Sequence, residues 1–287
     1  VLTLVSARFS HWQERGFLPS RRIESGAKTD EPIRTRGWTH WHHLYNPRQL
    51  LLAGLFAEQM ANEPTFEARS LLLMFGRLLD ANSRLTRWSV AQGGGIGGGK
   101  TTFYNQALNT LTNYSCRPMM TIASAFRADP AVAPVCGTSQ VSLADARRVF
   151  SESDVWITDP GYGDVILYDE LSEYFLAWYD KRLSDLFPGW YSDSKRSLNV
   201  KGEGESFRLA LAECYQNLAH HMPNDGIQVV MFTHQDPEVW ADVGLTLWAA
   251  GLQVSAAWTV VTETPTTGVK GGGNFVQGTV VRIIRKR

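Results

Sequence analysis

The sequence predicts an α/β fold whose sheet lies in the second half of the chain. Three observations predict it. The apolar run Val155-Trp156-Ile157-Thr158 stops at Asp159-Pro160 and reads as a buried strand. From there the patterns alternate as strand, helix, helix, strand, helix, strand, strand. The last two strands have no helix between them, so they pair as an antiparallel hairpin, with Gly271-Gly272-Gly273 in the turn region.

The elements follow in chain order. Residues 1–36 are polar and irregular and read as an arm or connector. A mainly helical region, 37–150, and a sheet region, 151–287, come after it. Asn46-Pro47 opens a helix, with Asn as N-cap and Pro at the first helical position. Leu50, Leu51, Leu52, Leu55 and Phe56 form its apolar face. A second helix runs from about Thr65 to Leu79. Gly93 to Gly99 is a glycine loop, and Thr101 to Tyr114 reads as a helix with Phe103, Ala107, Leu108 and Leu111 on one face. Residues 117–142 carry no clear pattern. Ser142 caps a short helix ending near Ser151. The sheet region then gives a helix over Asp169–Leu186, a loop over 188–204 and a helix over Glu205–His221. A buried strand over Gly226–Phe232 and a helix over Glu238–Ala250 precede strands over Gln253–Thr262 and Val276–Ile284.

A chain of 287 residues allows one large domain or two small ones, and 44% hydrophobic residues with ten Trp supply a core. The 28 basic and 28 acidic side chains balance, so any DNA contact must come from a local patch. Arg282, Arg285, Lys286 and Arg287 are one such patch, with a solvated chain end as the plainer reading. Cys116, Cys136 and Cys214 form no CxxC pair, which gives no support to a zinc ribbon or redox motif. Their sparse, odd number suits a reducing cytoplasm, the expected location. No apolar stretch approaches a membrane span, so no membrane partner is expected. No signal peptide is evident, and a first residue of Val1 rather than Met reads as a piece of something longer.

Asp159-Pro160-Gly161-Tyr162 places a carboxylate, a turn and an aromatic face at the carboxyl edge of a strand, where open α/β sheets bind ligands. These parts suit a pocket for a flat, amino-bearing ring: the carboxylate and a neighbouring carbonyl accept from an NH2 group, and Tyr162 stacks on the ring. Enzymes acting on an extruded nucleobase need such a pocket. The plainer reading is an ordinary turn, since Asp, Pro and Gly all favour one.

The stretch Thr158-Asp159-Pro160-Gly161-Tyr162, with Tyr168, Glu170-Leu171-Ser172 and Phe175-Leu176-Ala177-Trp178, resembles the catalytic region of large adenine-specific DNA methyltransferases associated with anti-phage defence. The resemblance extends upstream through Arg36-Gly37-Trp38, Trp41-His42-His43-Leu44, Asn46-Pro47-Arg48-Gln49-Leu50 and Asn105-Gln106-Ala107-Leu108-Asn109. Downstream it includes Lys201-Gly202-Glu203-Gly204, Met231-Phe232-Thr233-His234-Gln235, Ala256-Ala257-Trp258 and Gln277-Gly278-Thr279-Val280. It implies a Rossmann-like S-adenosylmethionine-dependent methyltransferase fold, represented here by its distal half with helical N-terminal elements. In that fold an antiparallel last strand sits in an otherwise parallel sheet. The implied reaction moves a methyl group from S-adenosylmethionine to N6 of adenine, with DNA and other defence-system proteins as partners. Asp159 and the Pro160 carbonyl would accept the amine hydrogens, and Tyr162 would stack on the base. Lys195, Arg196 and Lys201 lie in the region that faces DNA in related enzymes, though a solvated loop fits them equally.

Two departures stand out. The family pattern is Asp-Pro-Pro-Tyr, and Gly161 replaces its second proline, which loosens the turn. The family's cofactor motif, an acidic or Phe-containing glycine turn after the first strand, has no counterpart before Gly93. Gly95-x-Gly97-x-Gly99 is a degenerate candidate without the usual acidic residue.

Gly94 to Thr101 also fits the phosphate-loop pattern GxxxxGK[ST], and Val165–Glu170 imitates a Mg2+-binding strand end, so an NTPase is the rival reading. A poor preceding strand, glycine repetition and the helix-start position of Asp169-Glu170 count against it. A non-catalytic DNA-binding remnant is a third reading. His42, His43, His220, His221 and His234 invite a metal, but no carboxylate is spaced to complete a site, and surface or capping roles suit them better.

Overall fold

In the computed structural model the chain divides into two compact units, Val1–Leu143 with Leu167–Ser197, and Ala144–Ile166 with Leu198–Arg287. The structure describes residues 1–86, 88–89, 98–99, 101–104, 107–108, 122, 125–127, 136–161, 167–200, 204–234, 236–261 and 278–287.

The first unit is helical: α1 (Leu2–Glu14), α2 (Asp30–Arg36), α3 (Pro47–Met60), α4 (Thr65–Asp80) and α5 (Tyr168–Leu186). Two short antiparallel pairs accompany them, β1 (Trp88–Ser89) with β2 (Gly98–Gly99) and β3 (Phe103–Tyr104) with β4 (Ala107–Leu108). The start of α3 follows its sequence signal. The Asn46 side chain accepts from the Gln49 backbone N–H at 2.9 Å, and the Gln49 side chain accepts from the Asn46 N–H at 2.9 Å.

Residues 1–36 are not an arm. Val5, Phe9 and Trp12 recur at helical spacing on α1 and enter the core, where Trp12 is 0% exposed. Its ring lies on Gly54 of α3, where a Cβ would sit 2.3 Å from a ring carbon, so only glycine admits the indole. Polar residues between the three apolar ones hide this stripe in the sequence. The expected helix over Thr101–Tyr114 is replaced at 103–104 and 107–108 by β3 and β4, and the rest of it from 109 lies outside the described residues. Thr102 precedes them and is pinned by Asp80: its backbone N–H donates to Oδ1 at 2.9 Å, and its hydroxyl donates to the Asp80 carbonyl at 2.7 Å. Between 142 and 151 a single 3-10 turn, Ala146–Arg148, is capped by Asp145 rather than Ser142.

The helix α5 extends over the expected residues, yet it belongs to the helical unit rather than to the sheet region. Tyr174, 0% exposed, contacts the rings of Trp41, Tyr45, Phe103 and Phe175. Its hydroxyl bonds that of Tyr45 and donates to the Leu79 carbonyl at 2.7 Å. Burial pushes the phenol of Tyr174 far above its usual range. The first turn of α5 carries Glu170, whose carboxylate accepts from the N–H groups of Ala27, Lys28 and Thr29 at 2.9, 2.8 and 3.2 Å. Three successive amides form an anion-binding concavity around it. Gly26 completes this cradle, since a Cβ there would meet the carboxylate at 2.5 Å.

The second unit is a four-stranded sheet ordered β5-β6-β8-β7, with β5 Val155–Thr158, β6 Ile227–Phe232, β7 Leu252–Val260 and β8 Thr279–Lys286. β5 and β6 are parallel, and β8 is antiparallel to both β6 and β7. β7 therefore runs with β5 and β6, and β8 alone is reversed. Helices α6 (Gly204–His220) and α7 (Pro237–Ala249) supply Leu211, Tyr215, Leu218, Val243 and Leu247 to a core with Val230, Phe232 and Ile284. Asn217 of α6 donates to the carbonyls of Ala146 and Val149, both at 3.0 Å, and fixes the approach to β5.

Gly26→Ala tests the Glu170 cradle. It should lower the stability of the helical unit by about 1–3 kcal/mol, the cost of breaking hydrogen bonds to a buried acceptor. Denaturant unfolding measures this, and an unchanged midpoint would contradict it.

Candidate functional site

The site is built at the carboxyl edge of β5 and β6. Alternation along β5 turns Trp156 and Thr158 toward the helices, in register with Gln228 and Val230 of β6. Thr158, the last residue of β5, shares a hydrogen bond of 3.2 Å with the Tyr215 hydroxyl of α6. The strand end is thereby tied to its covering helix just before the backbone turns out. Asp159 follows as an exposed carboxylate, Pro160 is half-buried and Gly161 is exposed. Tyr162 lies outside the described residues. Gly161 carries no backbone requirement for glycine: its φ is not left-handed, and a Cβ there meets nothing within 4 Å.

After β6, His234 turns into the start of α7. Its Nδ1 accepts from the Asp236 N–H at 3.0 Å, and its carbonyl accepts from Trp240 Nε1 at 2.7 Å. Asp236 in turn caps α7 through the Glu238 N–H at 2.9 Å. Trp240 is thus held at the same edge. Tyr215 completes the group; burial pushes its phenol up to about 12, with Arg282 opposing and Asp159 adding to that rise. The phenol stays protonated and is a hydrogen-bonding fixture, not a base.

The other described sequence candidates belong to the first unit. Lys195 and Arg196 form a 3-10 turn in the helical unit. Arg196 donates to the Ser25 carbonyl at 2.7 Å and pairs with Glu24 at 3.7 Å, so it tethers the loop ahead of α2. Lys195 is exposed, and Lys201 lies outside the described residues. Gly95 and Gly97 also lie outside them, whereas Gly99 pairs with Trp88 in a two-residue strand. The phosphate-loop rival loses two of its parts. Strands, not a helix N-terminus, occupy 103–104 and 107–108, and the carboxylate of Glu170 is engaged by backbone amides.

Sequence reasoning set Arg282 among a terminal basic cluster, but the four side chains separate. Arg285 donates to the Asp225 carbonyl at 3.1 Å, Lys286 to the Met222 carbonyl, and Arg287 to the Trp248 carbonyl at 2.9 Å. Arg282 instead turns inward from β8. The signal for it was present: a lone arginine inside the apolar run Val280–Ile284. Tyr215 and Trp240 had no such signal, being ordinary aromatics on amphipathic helices.

The histidines are engaged locally. His221 bonds the Asn217 carbonyl at 3.0 Å, and His42 bonds the Pro19 carbonyl at 3.1 Å. The imidazole centroids of His42 and His43 lie 4.4 Å apart, with His40 at 5.3 and 5.5 Å from them. No group of three or more His, Cys, Asp or Glu side chains among the described residues could hold a metal ion. Likewise, no helix among them is long and apolar enough to cross a membrane.

No family model matches the chain, and no curated protein or solved structure matches it either.

The histidine group yields a pH prediction. Burial, then His43, lowers His42 from 6.5 to about 4. The unfolded chain therefore takes up this proton first as pH falls, and stability drops between pH 6.5 and about 4. Thermal melts of wild type and His42→Asn across that window should diverge, the wild type falling more steeply. Parallel curves would contradict the assignment.

Proposed function

We propose that this chain takes part in methyl transfer to the N6 amine of adenine in DNA, and that its second unit supplies the pocket for the target base. The observation that carries this reading is the sheet itself. A reversed last strand in an otherwise parallel sheet is the arrangement implied by the distal half of a Rossmann-like methyltransferase, and β8 is that strand. Asp159 then falls at the carboxyl edge of β5, where such a sheet binds its ligand.

The chemistry required of this edge is modest. The lone pair of an exocyclic amine is delocalised into the ring, which makes it a poor nucleophile. Two acceptors placed on its hydrogens, the Asp159 carboxylate and the Pro160 carbonyl, draw density back onto nitrogen and orient it for in-line attack. Their contribution is positioning and electrostatics. The bond from Thr158 to Tyr215 supports the geometry by fixing the strand end from which both acceptors project. S-adenosylmethionine is the methyl donor this reading requires. Participation in anti-phage defence belongs to the same proposal and rests on the resemblance alone.

With S-adenosylmethionine and adenine-containing DNA, the wild-type chain should form N6-methyladenine, measured by mass spectrometry of the digested DNA. Asp159→Ala should lower the yield by about 100-fold or more, the usual cost of losing one preorganised electrostatic partner. Equal yields from the two proteins, or none from wild type, would contradict the proposal.

A further inference from the structure

Arg282 is 9% exposed, on the helix-facing side of β8 opposite Val230. Its guanidinium carbon stands 4.2 Å from the Trp240 ring centroid and 5.9 Å from that of Phe232. Among the described residues no carboxylate pairs with it and no carbonyl accepts from it, whereas Arg285, Lys286 and Arg287 all have carbonyl acceptors. Burial lowers its pKa, the direction expected for a cation held out of water. Two aromatic faces offset only part of that desolvation. Among the described residues, the guanidinium is therefore held nearly buried against two aromatic faces, with no acceptor for its donors.

Its position gives those donors a use. Arg282 is level with Val230, which is itself level with Thr158, the residue before Asp159. Trp240 fixes the guanidinium on the same edge as His234, through the indole bond to the His234 carbonyl. Arg282 and Asp159 act with opposite sign on the same Tyr215 phenol. A cation with no acceptor among the described residues and an exposed carboxylate thus lie at neighbouring register positions of one sheet edge. The signs of the two groups complement a nucleotide, which is anionic at its phosphate and offers hydrogen-bond donors at its base.

We propose that Arg282 binds a phosphodiester group of the nucleotide whose base is held at Asp159; this rests on the base-pocket reading above. Arginine suits the role because its planar fork meets two phosphate oxygens at once. The ring faces of Trp240 and Phe232 hold that fork ready before ligand arrives.

The test is binding of the full chain to a short single-stranded oligonucleotide containing one adenine. Arg282→Met should bind about ten-fold more weakly, as for loss of one charge-assisted contact. The slope of log affinity against log salt should fall by about 0.7, the value for one phosphate on single-stranded DNA. Replacing the phosphate beside the adenine with an uncharged methylphosphonate should weaken wild type and leave Arg282→Met unchanged. Arg282→Met should also melt at or above the wild-type temperature, because it removes a desolvated charge. Equal affinity and slope for both proteins would overturn the proposal, as would absence of any DNA binding. A marked fall in melting temperature would assign Arg282 a structural role instead. A defect confined to binding of S-adenosylmethionine would assign it to that molecule's carboxylate. An abasic oligonucleotide separates the two readings: wild type binding it as tightly as the adenine oligonucleotide, with the Arg282 effects intact, overturns the base pocket and leaves the phosphate contact standing.

Discussion

The second unit depends on one geometric constraint: its last strand enters the sheet between β6 and β7, antiparallel to both. β7 cannot reach β6 directly, so the sheet closes only when β8 returns along it. This ordering keeps β5, β6 and β7 pointing the same way and sends the chain out of β5 and β6 at one edge. The turn after β5 presents Asp159 there, and the turn after β6 presents His234 and the start of α7. β8 also carries Arg282 into the same region from the opposite direction. The parallel pair β5 and β6 brings the carboxylate and the indole of Trp240 to one edge, and the reversed strand adds the guanidinium to them.

The helical unit solves a different problem. Its core is aromatic, and aromatic hydroxyls and carboxylates buried there need partners. Tyr45 and Tyr174 satisfy one another and the Leu79 carbonyl at the end of α4, while Thr102 and Asp80 tie the segment after the glycine loop to the same helix end. Glu170 finds its partners in three backbone amides of the loop before α2. These fixed polar contacts, more than the apolar area, decide which segments can meet. They also account for two motifs that look functional in the sequence. Thr101 ends a phosphate-loop pattern, and the residue after it, Thr102, is a structural anchor. Asp169-Glu170 resembles a metal-binding strand end and begins a helix whose Glu170 is already bound.

Much of the fold was legible where a local rule acts alone. Asn46-Pro47 announces a capped helix because capping involves only neighbouring residues. The run before Asp159 and the strands at 227–232 and 279–286 announce themselves by apolar content and by the turns that bound them. The paired last strands followed from the missing helix between them. What was not legible depends on contacts distant in sequence. The helix α1 looks polar because its core face consists of three residues, one of which fits only against Gly54. Phe103, Ala107, Leu108 and Leu111 have helical spacing, but Asp80, 22 residues from Thr102, holds that residue in a bend just before β3. At the candidate site, Asp159 and Pro160 could be read from the strand end, whereas Tyr215 and Trp240 could not, since their roles arise only when α6 and α7 pack on the sheet.

The central claim is that the carboxyl edge of β5 recognises an exocyclic amine. The most direct measurement compares binding of two oligonucleotides that differ at one position, adenine in one and purine, which lacks the 6-amino group, in the other. If Asp159 and the Pro160 carbonyl accept that amine, wild type favours adenine by about ten-fold or more, the worth of hydrogen bonds to a charged acceptor, and Asp159→Ala loses the preference. Equal binding of the two oligonucleotides by wild type would contradict the claim.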